Sequence, residues 1–360
     1  MKFFVYEFVT GGGLLHSRES ESTLAHLRDE GLAMFRAIVA DLSRREDAQL
    51  VGLWDGRLAS PPAMPIRLQT VSTEIKHRTA FDTLARSSDA TLVIAPETGN
   101  QLHLAASRVL EVGGHLLGPD PAVIALASDK HALAKHLARH GVPVPSGVAL
   151  RCDEPIPKQI AYPAVMKPLE GAGARQTYLV PDAETAARLR PPMPIRLESY
   201  HAGVSVSVAF LCGPGGNTAL LPCMQIMETV GGLIHYRGGS LPLETSLSER
   251  ASGLAQRAID SLPSPRGYLG VDLILGPASG GTDDVVLEIN PRLTTSYVGL
   301  RAAMGENLAG LMLDGIAGKL PSFSARLRAI TFTADGKVWL SDQASVFAKL
   351  SDTRPSKAPS

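Results

Sequence analysis

LEINPR, Leu287 to Arg292, read against GVDLIL, Gly270 to Leu275, decides the architecture. Each run is apolar with single charges inside it, and a loop rich in Gly, Ser and Asp joins them, so two adjacent antiparallel strands are expected. Residues two apart on a strand face the same side. Glu288 and Asn290 therefore project together, and Asp272 joins them from the neighbouring strand. Charges on the solvent faces of surface strands would be the plainer explanation, but a charge set within an apolar strand is seldom buried without a partner. Two carboxylates and an amide oxygen make a hard oxygen site suited to Mg²⁺, which binds through few protein groups and completes its shell with water and phosphate oxygens. One step beyond, Arg292 offers a guanidinium fork to a phosphate or a substrate carboxylate.

Upstream, YPAVMKP (Tyr162 to Pro168) reads as a short strand holding Lys167, whose ammonium needs an anion in such apolar company. The loop EGAGARQT (Glu170 to Thr177) follows, and its small residues Gly171, Ala172 and Gly173 can bring backbone N–H groups against phosphates. A glycine loop by itself is equally an ordinary hairpin turn. A helix spans Ser128 to His140, with Ser128 as N-cap and Gly141 as its stop. It carries Lys130, which alone would be simply solvated. Further strands are expected over Ile195 to His201 and Val204 to Leu211, and a helix over Glu306 to Ile316.

At the start of the chain, Lys2 to Val9 is a strand that stops at Gly11-Gly12-Gly13. Glu7 interrupts the apolar run and no small-residue cleavage site follows, which argues against a signal peptide. A helix over Ser22 to Arg44 and strands over Gln49 to Trp54 and Ala90 to Ala95 alternate as parallel βαβ units do. Roughly the first 115 residues thus read as a small doubly wound domain. The polar, proline-bearing tail beyond Asp352 is expected to be disordered.

The composition suits a large-cored globular protein, 44% hydrophobic and 19% charged. Thirty-five basic residues balance thirty-five acidic ones, so no nucleic-acid partner is expected. No apolar run is long enough for a membrane span. Cys152, Cys212 and Cys223 fit neither a disulfide framework nor a CxxC site, and are expected to be buried reduced thiols of a cytoplasmic protein. No Ser-His-Asp or Cys-His arrangement stands out.

Taken in order, these pieces are helical Lys130, strand Lys167 with its glycine loop, ESYHAG (Glu198 to Gly203), then Asp272, Glu288, Asn290 and Arg292. That order resembles the ATP-grasp superfamily over roughly residues 90–320, which grips ATP between two lobes. The resemblance implies an ATP-grasp fold of α/β (α+β) class with an N-terminal doubly wound pre-ATP-grasp domain. The expected divisions are residues 1–117 for that domain, 118–201 for a lid lobe, 202–330 for a C-terminal lobe with the metal site, and 331–360 for an extension. It gives Lys130 and Lys167 to the ATP phosphates and adenine, and Gly171, Ala172 and Gly173 to a flap over the phosphates. Glu198 and His201 fall at hinge positions whose backbone pairs with adenine. Asp272, Glu288 and Asn290 become ligands of Mg²⁺ or Mn²⁺, with Arg292 steadying the transferred phosphoryl group. Many members carry a Glu for the ribose hydroxyls where Ser205 stands here, leaving water, Ser205 or an acid such as Glu228 to serve. Small-molecule carboxylate and amine substrates are implied, and a homodimer is an arrangement that many members adopt.

Within the superfamily, VYEFVTGGGL and HYRGG (His235 to Gly239) look most like tyramine–glutamate ligases of methanofuran-type cofactor synthesis. Arg237 would then grip a glutamate carboxylate and Tyr236 stack on the aromatic acceptor. A D-amino-acid dipeptide ligase, a biotin-carboxylase-like carboxylation, and an ATP sensor or scaffold are the alternatives; fold alone does not choose among them.

Overall fold

The computed structural model describes residues 1–15, 21–171, 176–323 and 327–340. The flap residues Ala172 and Gly173 and the tail beyond Asp352 lie outside them. In the N-terminal part, β1 (Lys2–Glu7), β2 (Gln49–Asp55), β3 (Arg67–Val71) and β4 (Ala90–Ile94) form a parallel sheet in the order β3-β2-β1-β4. It is accompanied by α1 (Glu21–Leu42), α2 (Glu74–Ser87) and α3 (Gln101–Glu111). The strand order reverses beside β1, and open α/β sheets receive ligands outside the carboxyl ends of their strands at such a point. The turn after β1 is tied down there. Glu7 is buried and its carboxylate accepts hydrogen bonds from the Val9 and Thr10 backbone N–H groups (3.1 and 2.6 Å) and from the Thr10 hydroxyl. A Cβ at Gly31 would lie 2.3 Å from that same carboxylate, so α1 sits hard against the end of β1.

The remaining strands make one large sheet. They are β5 (Gly147–Leu150), β6 (Ala164–Pro168), β7 (Tyr178–Val180), β8 (Ile195–Ser199), β9 (Val204–Gly213) and β10 (Gly216–Ala219), followed by β11 (Cys223–Val230), β12 (Leu233–Leu241), β13 (Gly267–Leu275), β14 (Val285–Asn290), β15 (Ile330–Thr333) and β16 (Val338–Leu340). The main path runs β14-β13-β9-β11-β12-β7-β6-β8-β5. Its two halves meet at a short seam, where Leu233 pairs with Tyr178 and hydrogen bonds run from Leu179 N to Gly232 O and from Ile234 N to Thr177 O. The accompanying helices are α4 (Pro121–Ser128), α5 (Lys130–Arg139), α6 (Ala183–Leu189), α7 (Thr245–Asp260), α8 (Ser296–Met304) and α9 (Leu308–Ile316). None among the described residues is long and apolar enough to cross a membrane.

Several expectations are corrected. Ser128 ends α4, and it is Asp129 that caps α5, accepting from the His131 and Ala132 N–H groups at 2.9 Å. The division between 118–201 and 202–330 separates residues that pack together. Leu133 and Leu137 of α5 share a core with Val206, Val208, Leu254 and Leu269, whereas the lid has its own core built from Leu150, Ala164, Met166, Val180, Ile195 and Leu197. A division at 330 cuts β15, which pairs with β12 from Leu241–Ile330 to Gly238–Thr333. The N-terminal domain and the C-terminal lobe also share a core, in which Phe3, Val5 and Ile38 join Leu300, Met304 and Met312. Asp41 of α1 ties them further, accepting from the Tyr297 hydroxyl (2.7 Å) and from Arg301 (2.7 and 3.1 Å) in full burial. Cys212 and Cys223 are buried free thiols, while Cys152 is exposed on the loop after β5.

Candidate functional site

The seam between the lid and the C-terminal lobe opens into a cavity of about 370 Å³, within the size range of small-molecule sites. Its floor is the β13–β14 pair. Asp272 and Glu288 stand directly opposite each other, as do Gly270 and Asn290. The register then slips so that Leu273 opposes Val286, and the resulting bulge re-aims the strand beside the two carboxylates. Asn290 donates from Nδ2 to Asp272 Oδ2 at 2.9 Å. Asp272 Oδ1 is buried with no hydrogen-bond partner among the described residues. Burial and, behind it, the facing Glu288 carboxylate raise Asp272 to about 7. Burial also opposes the charge on Glu288, but Lys130, Lys167 and Arg292 outweigh it and hold that carboxyl below its ordinary range.

A buried carboxylate oxygen without a donor, facing a second carboxylate, is what a cation would satisfy. Among the described residues no three His, Cys, Asp or Glu side chains gather into a metal cluster. The donor set at this floor is instead Asp272, Glu288 and Asn290, which fits a hard divalent ion sharing its shell with phosphate oxygens. In this arrangement Asn290 turns its amide nitrogen toward Asp272, and its Oδ1 lies 3.5 Å from Arg292 Nη2.

The lid supplies the opposite charge. Lys167 on β6 meets Glu198 on β8 at 2.5 Å, and Arg196 meets the other oxygen of Glu198 at 2.6 Å. Arg196 also donates to Pro145 O (2.8 Å) and to His131 Nδ1 (2.7 Å). All three charged side chains of this network are buried. Lys130 links lid and floor: its Nζ donates to Gly171 O at 2.8 Å and lies 3.4 Å from Glu288 Oε2. The helix that presents it is capped one residue earlier, so the lysine leaves the first turn toward the cavity rather than into solvent.

Arg292 is held from the other domain. Glu97, just past β4 at the carboxyl edge of the N-terminal sheet, receives its Nε and Nη2 at 3.0 and 3.1 Å in near-complete burial. Gly171, Glu198, His201 and Ser205 line the cavity, and His201 Nε2 lies 3.2 Å from the Ser199 hydroxyl. Arg237 is not among the lining residues. On β12, Tyr236 points inward and its buried hydroxyl accepts from Thr295 at 3.0 Å, whereas Arg237 is half exposed and paired with Glu228. Period-two alternation therefore carries both Arg237 and Glu228 away from the site.

Three residues at the site were not anticipated. Arg196 had a signal, since it sits two residues from Glu198 on an otherwise apolar strand. Glu97 had a weaker one, as an acid at the carboxyl end of a parallel strand. Glu30 on α1 had none.

Comparison with known proteins accords with this geometry. Residues 127–296 match the ATP-grasp domain and residues 48–124 the pre ATP-grasp 3 domain. The carbamoyl phosphate synthase large chain of Mycobacterium tuberculosis is 28% identical over 238 residues, covering 59% of this chain and 21% of that protein. The chain thus spans about a fifth of the length of the curated relatives it matches. Among solved structures, an ATP-grasp superfamily protein from Archaeoglobus fulgidus superposes with a TM-score of 0.67 at 23% identity, covering 92% of each chain. An L-amino acid ligase from Bacillus licheniformis gives 0.67 at 14%, covering 92% of this chain and 78% of that one. Residues 127–296 are thus an ATP-grasp domain, and a pre-ATP-grasp domain precedes it over residues 48–124.

Proposed function

We propose that this protein is a cytoplasmic, ADP-forming carboxylate–amine ligase that makes an amide through an acyl-phosphate. Its substrates are glutamate, activated at the γ-carboxylate, and tyramine or a similar aromatic amine, in synthesis of a methanofuran- or methylofuran-type cofactor. The observation that carries the ligase reading is one cavity with cationic Lys130 and Lys167 on one side and the facing Asp272–Glu288 pair on the other. That division suits a nucleotide whose phosphates need positive charge and whose metal needs hard oxygens.

In this reading Lys130 and Lys167 hold the phosphates, with Gly171 at the start of the covering loop. Glu198 keeps Lys167 extended toward the nucleotide. His201 and the hinge around it receive adenine, and Ser205 lies on the ribose side. Asp272, Glu288 and Asn290 would hold Mg²⁺ or Mn²⁺, which would supply positive charge to neutralise the phosphates. A glutamate carboxylate oxygen attacks the γ-phosphorus, and the bond to the bridging oxygen breaks with ADP as leaving group. Arg292 and the hydroxyls of Thr294, Thr295 and Ser296 offer hydrogen bonds to the carboxylate and the transferring group. The amine nitrogen, having lost one proton, then attacks the acyl carbon. The carbon–oxygen bond breaks with its electrons on phosphate, and the second proton leaves with the departing phosphate.

The glutamate–tyramine choice rests on VYEFVTGGGL and HYRGG and on Tyr236 lining the cavity. Arg237, outside the cavity, is assigned no part in it. The test is phosphate release from ATP with glutamate and a panel of amines. Glutamate-dependent release stimulated by tyramine is expected; turnover with pairs of D-amino acids and none with tyramine would move the assignment to dipeptide ligation.

A further inference from the structure

Among the described residues, two buried acids of the N-terminal domain pair with arginines of the C-terminal lobe. Asp41 takes Arg301, and neither residue lines the cavity. Glu97 takes Arg292, which does line it. Here Glu97 Oε1 accepts from Nε at 3.0 Å and Oε2 from Nη2 at 3.1 Å, a two-bond fork that fixes the direction of an arginine as well as its place. Nη1 donates to Leu293 O at 3.0 Å. Of the five guanidinium N–H groups two are left, and Nη2 also lies 3.5 Å from Asn290 Oδ1. Burial opposes the charge on Arg292, but Glu97 more than offsets it and the guanidinium stays charged. Glu97 itself stands in a tightly set turn. Gly99 and Asn100 both take left-handed φ (62 and 61°), and hydrogen bonds from Asn100 N to Glu97 O and from Leu102 N to Pro96 O, each 3.0 Å, close the turn. A left-handed non-glycine residue is uncommon and recurs where a site needs a fixed backbone. The same turn meets the start of the covering loop, since a Cβ at Gly171 would lie 3.7 Å from Thr98 Oγ1.

We propose that Glu97 is a positioning residue for phosphoryl transfer: it aims Arg292 so that the guanidinium's remaining N–H groups meet the reacting groups. The N-terminal domain thereby takes part in the chemistry through Arg292 rather than by contact with the substrate. This rests on the ligase reading above, which puts Arg292 at the carboxylate and the transferring group. Donors set in place beforehand need no reorganisation when charge moves in the transition state. An arginine on a flexible stem meets that condition when a second group locks it, and the Glu97 fork is such a lock. A displacement of about 1 Å at such a centre costs on the order of a hundredfold in rate. Joining the domains is a separate task, which Asp41 and Arg301 perform away from the cavity. The two pairs therefore provide a contrast within one molecule.

The test uses hydroxylamine, whose nitrogen attacks the acyl carbon of an acyl-phosphate, releases phosphate and leaves a hydroxamate. Wild type, Glu97→Gln, Glu97→Asp and Asp41→Asn are compared for hydroxamate formation from ATP with glutamate, and in parallel with a pool of carboxylic acids. Thermal melts are recorded on the same preparations. Glu97→Gln keeps one acceptor but loses the charged fork, so its kcat should fall about 10–100-fold while its KM for ATP stays within about twofold. Glu97→Asp keeps both charges, and with them the fold, but its shorter side chain draws the guanidinium aside; its kcat should fall about tenfold. Asp41→Asn should melt lower than wild type and keep its kcat within about twofold. A kcat within twofold of wild type in either folded Glu97 variant, or an equal loss of kcat in Asp41→Asn, overturns the role of Glu97 and leaves the ligase reading standing. No hydroxamate from wild type with any carboxylate overturns the ligase reading itself, and the positioning role with it.

Discussion

The lid and the floor of the cavity each bury charge, but they do so in opposite ways. In the lid, Glu198 lies between Lys167 and Arg196, and the remaining guanidinium donors reach Pro145 O and His131, so every charge has a counter-charge or an acceptor. In the floor, Asp272 and Glu288 confront each other and one oxygen of Asp272 has no donor among the described residues. The lid network is complete without a ligand; the floor is not. A balanced ion network holds its side chains in place, whereas like charges held together in burial suit a cation.

The contrast predicts different responses to removing one acid from each side. Glu288→Gln should reduce ligation by roughly 10²–10³-fold, the scale of losing a preorganised charge partner at a reacting centre. Its thermal midpoint without metal should fall less than that of Glu198→Gln, because losing Lys130 and Lys167 as partners is offset by relief of the facing Asp272 charge. Measuring turnover and melting on one preparation tests both halves; near-normal turnover would remove Glu288 from the chemistry. Glu198→Gln should act first on the fold. It leaves two buried cations facing each other, a change that costs about 3–5 kcal/mol where a buried pair is broken. Denaturant unfolding reads this, and a loss below about 1 kcal/mol would mean that the lid network is not a structural unit.

A pH titration of stability sharpens the comparison. Asp272 is raised from 3.8 to about 7, so between those values the folded chain holds a proton that the unfolded chain has released. Without metal, this group's contribution to stability is present below pH 4 and is lost as pH rises toward 7. Glu288→Gln, lacking the facing charge, should show a shallower loss over the same range in thermal melts. The smallest effect belongs to Arg237→Ala. An ion pair with both partners half exposed is worth about 0–1 kcal/mol, and steady-state constants for ATP and for both other substrates should stay within about twofold. A selective rise in the glutamate KM would instead restore Arg237 to the binding site.

How much of this was legible in the chain differs from place to place. The floor was readable because strand period two puts Glu288 and Asn290 on one face, and their hairpin partner Asp272 lies only a short loop away in sequence. The same period failed for Tyr236 and Arg237, since HYRGG fixes that they face opposite sides but not which side is the cavity. At the start of α5 two adjacent cap-forming residues competed, and Asp129 holds the cap because Ser128 is already spent as the end of α4. Partners brought together across domains were beyond reach. Glu97 meets Arg292 over a separation of 195 residues, and nothing in either local pattern announces the other. Glu30 sits on a helix whose face toward the cavity is set by Gly31 against Glu7, a contact between elements rather than a motif.

The pairing of β15 with β12 bears on how the protein is made. Translation is vectorial, and domains fold as units while later segments are still being synthesised. Lys130, Lys167, Asp272 and Glu288 have all emerged before the ribosome reaches Phe332, the wall residue that β15 adds beside Tyr236. A nascent chain therefore possesses Lys130, Lys167, Asp272 and Glu288 well before Phe332. That side of the cavity is completed only when β15 pairs with β12, by residues synthesised after all the strands of the floor and lid.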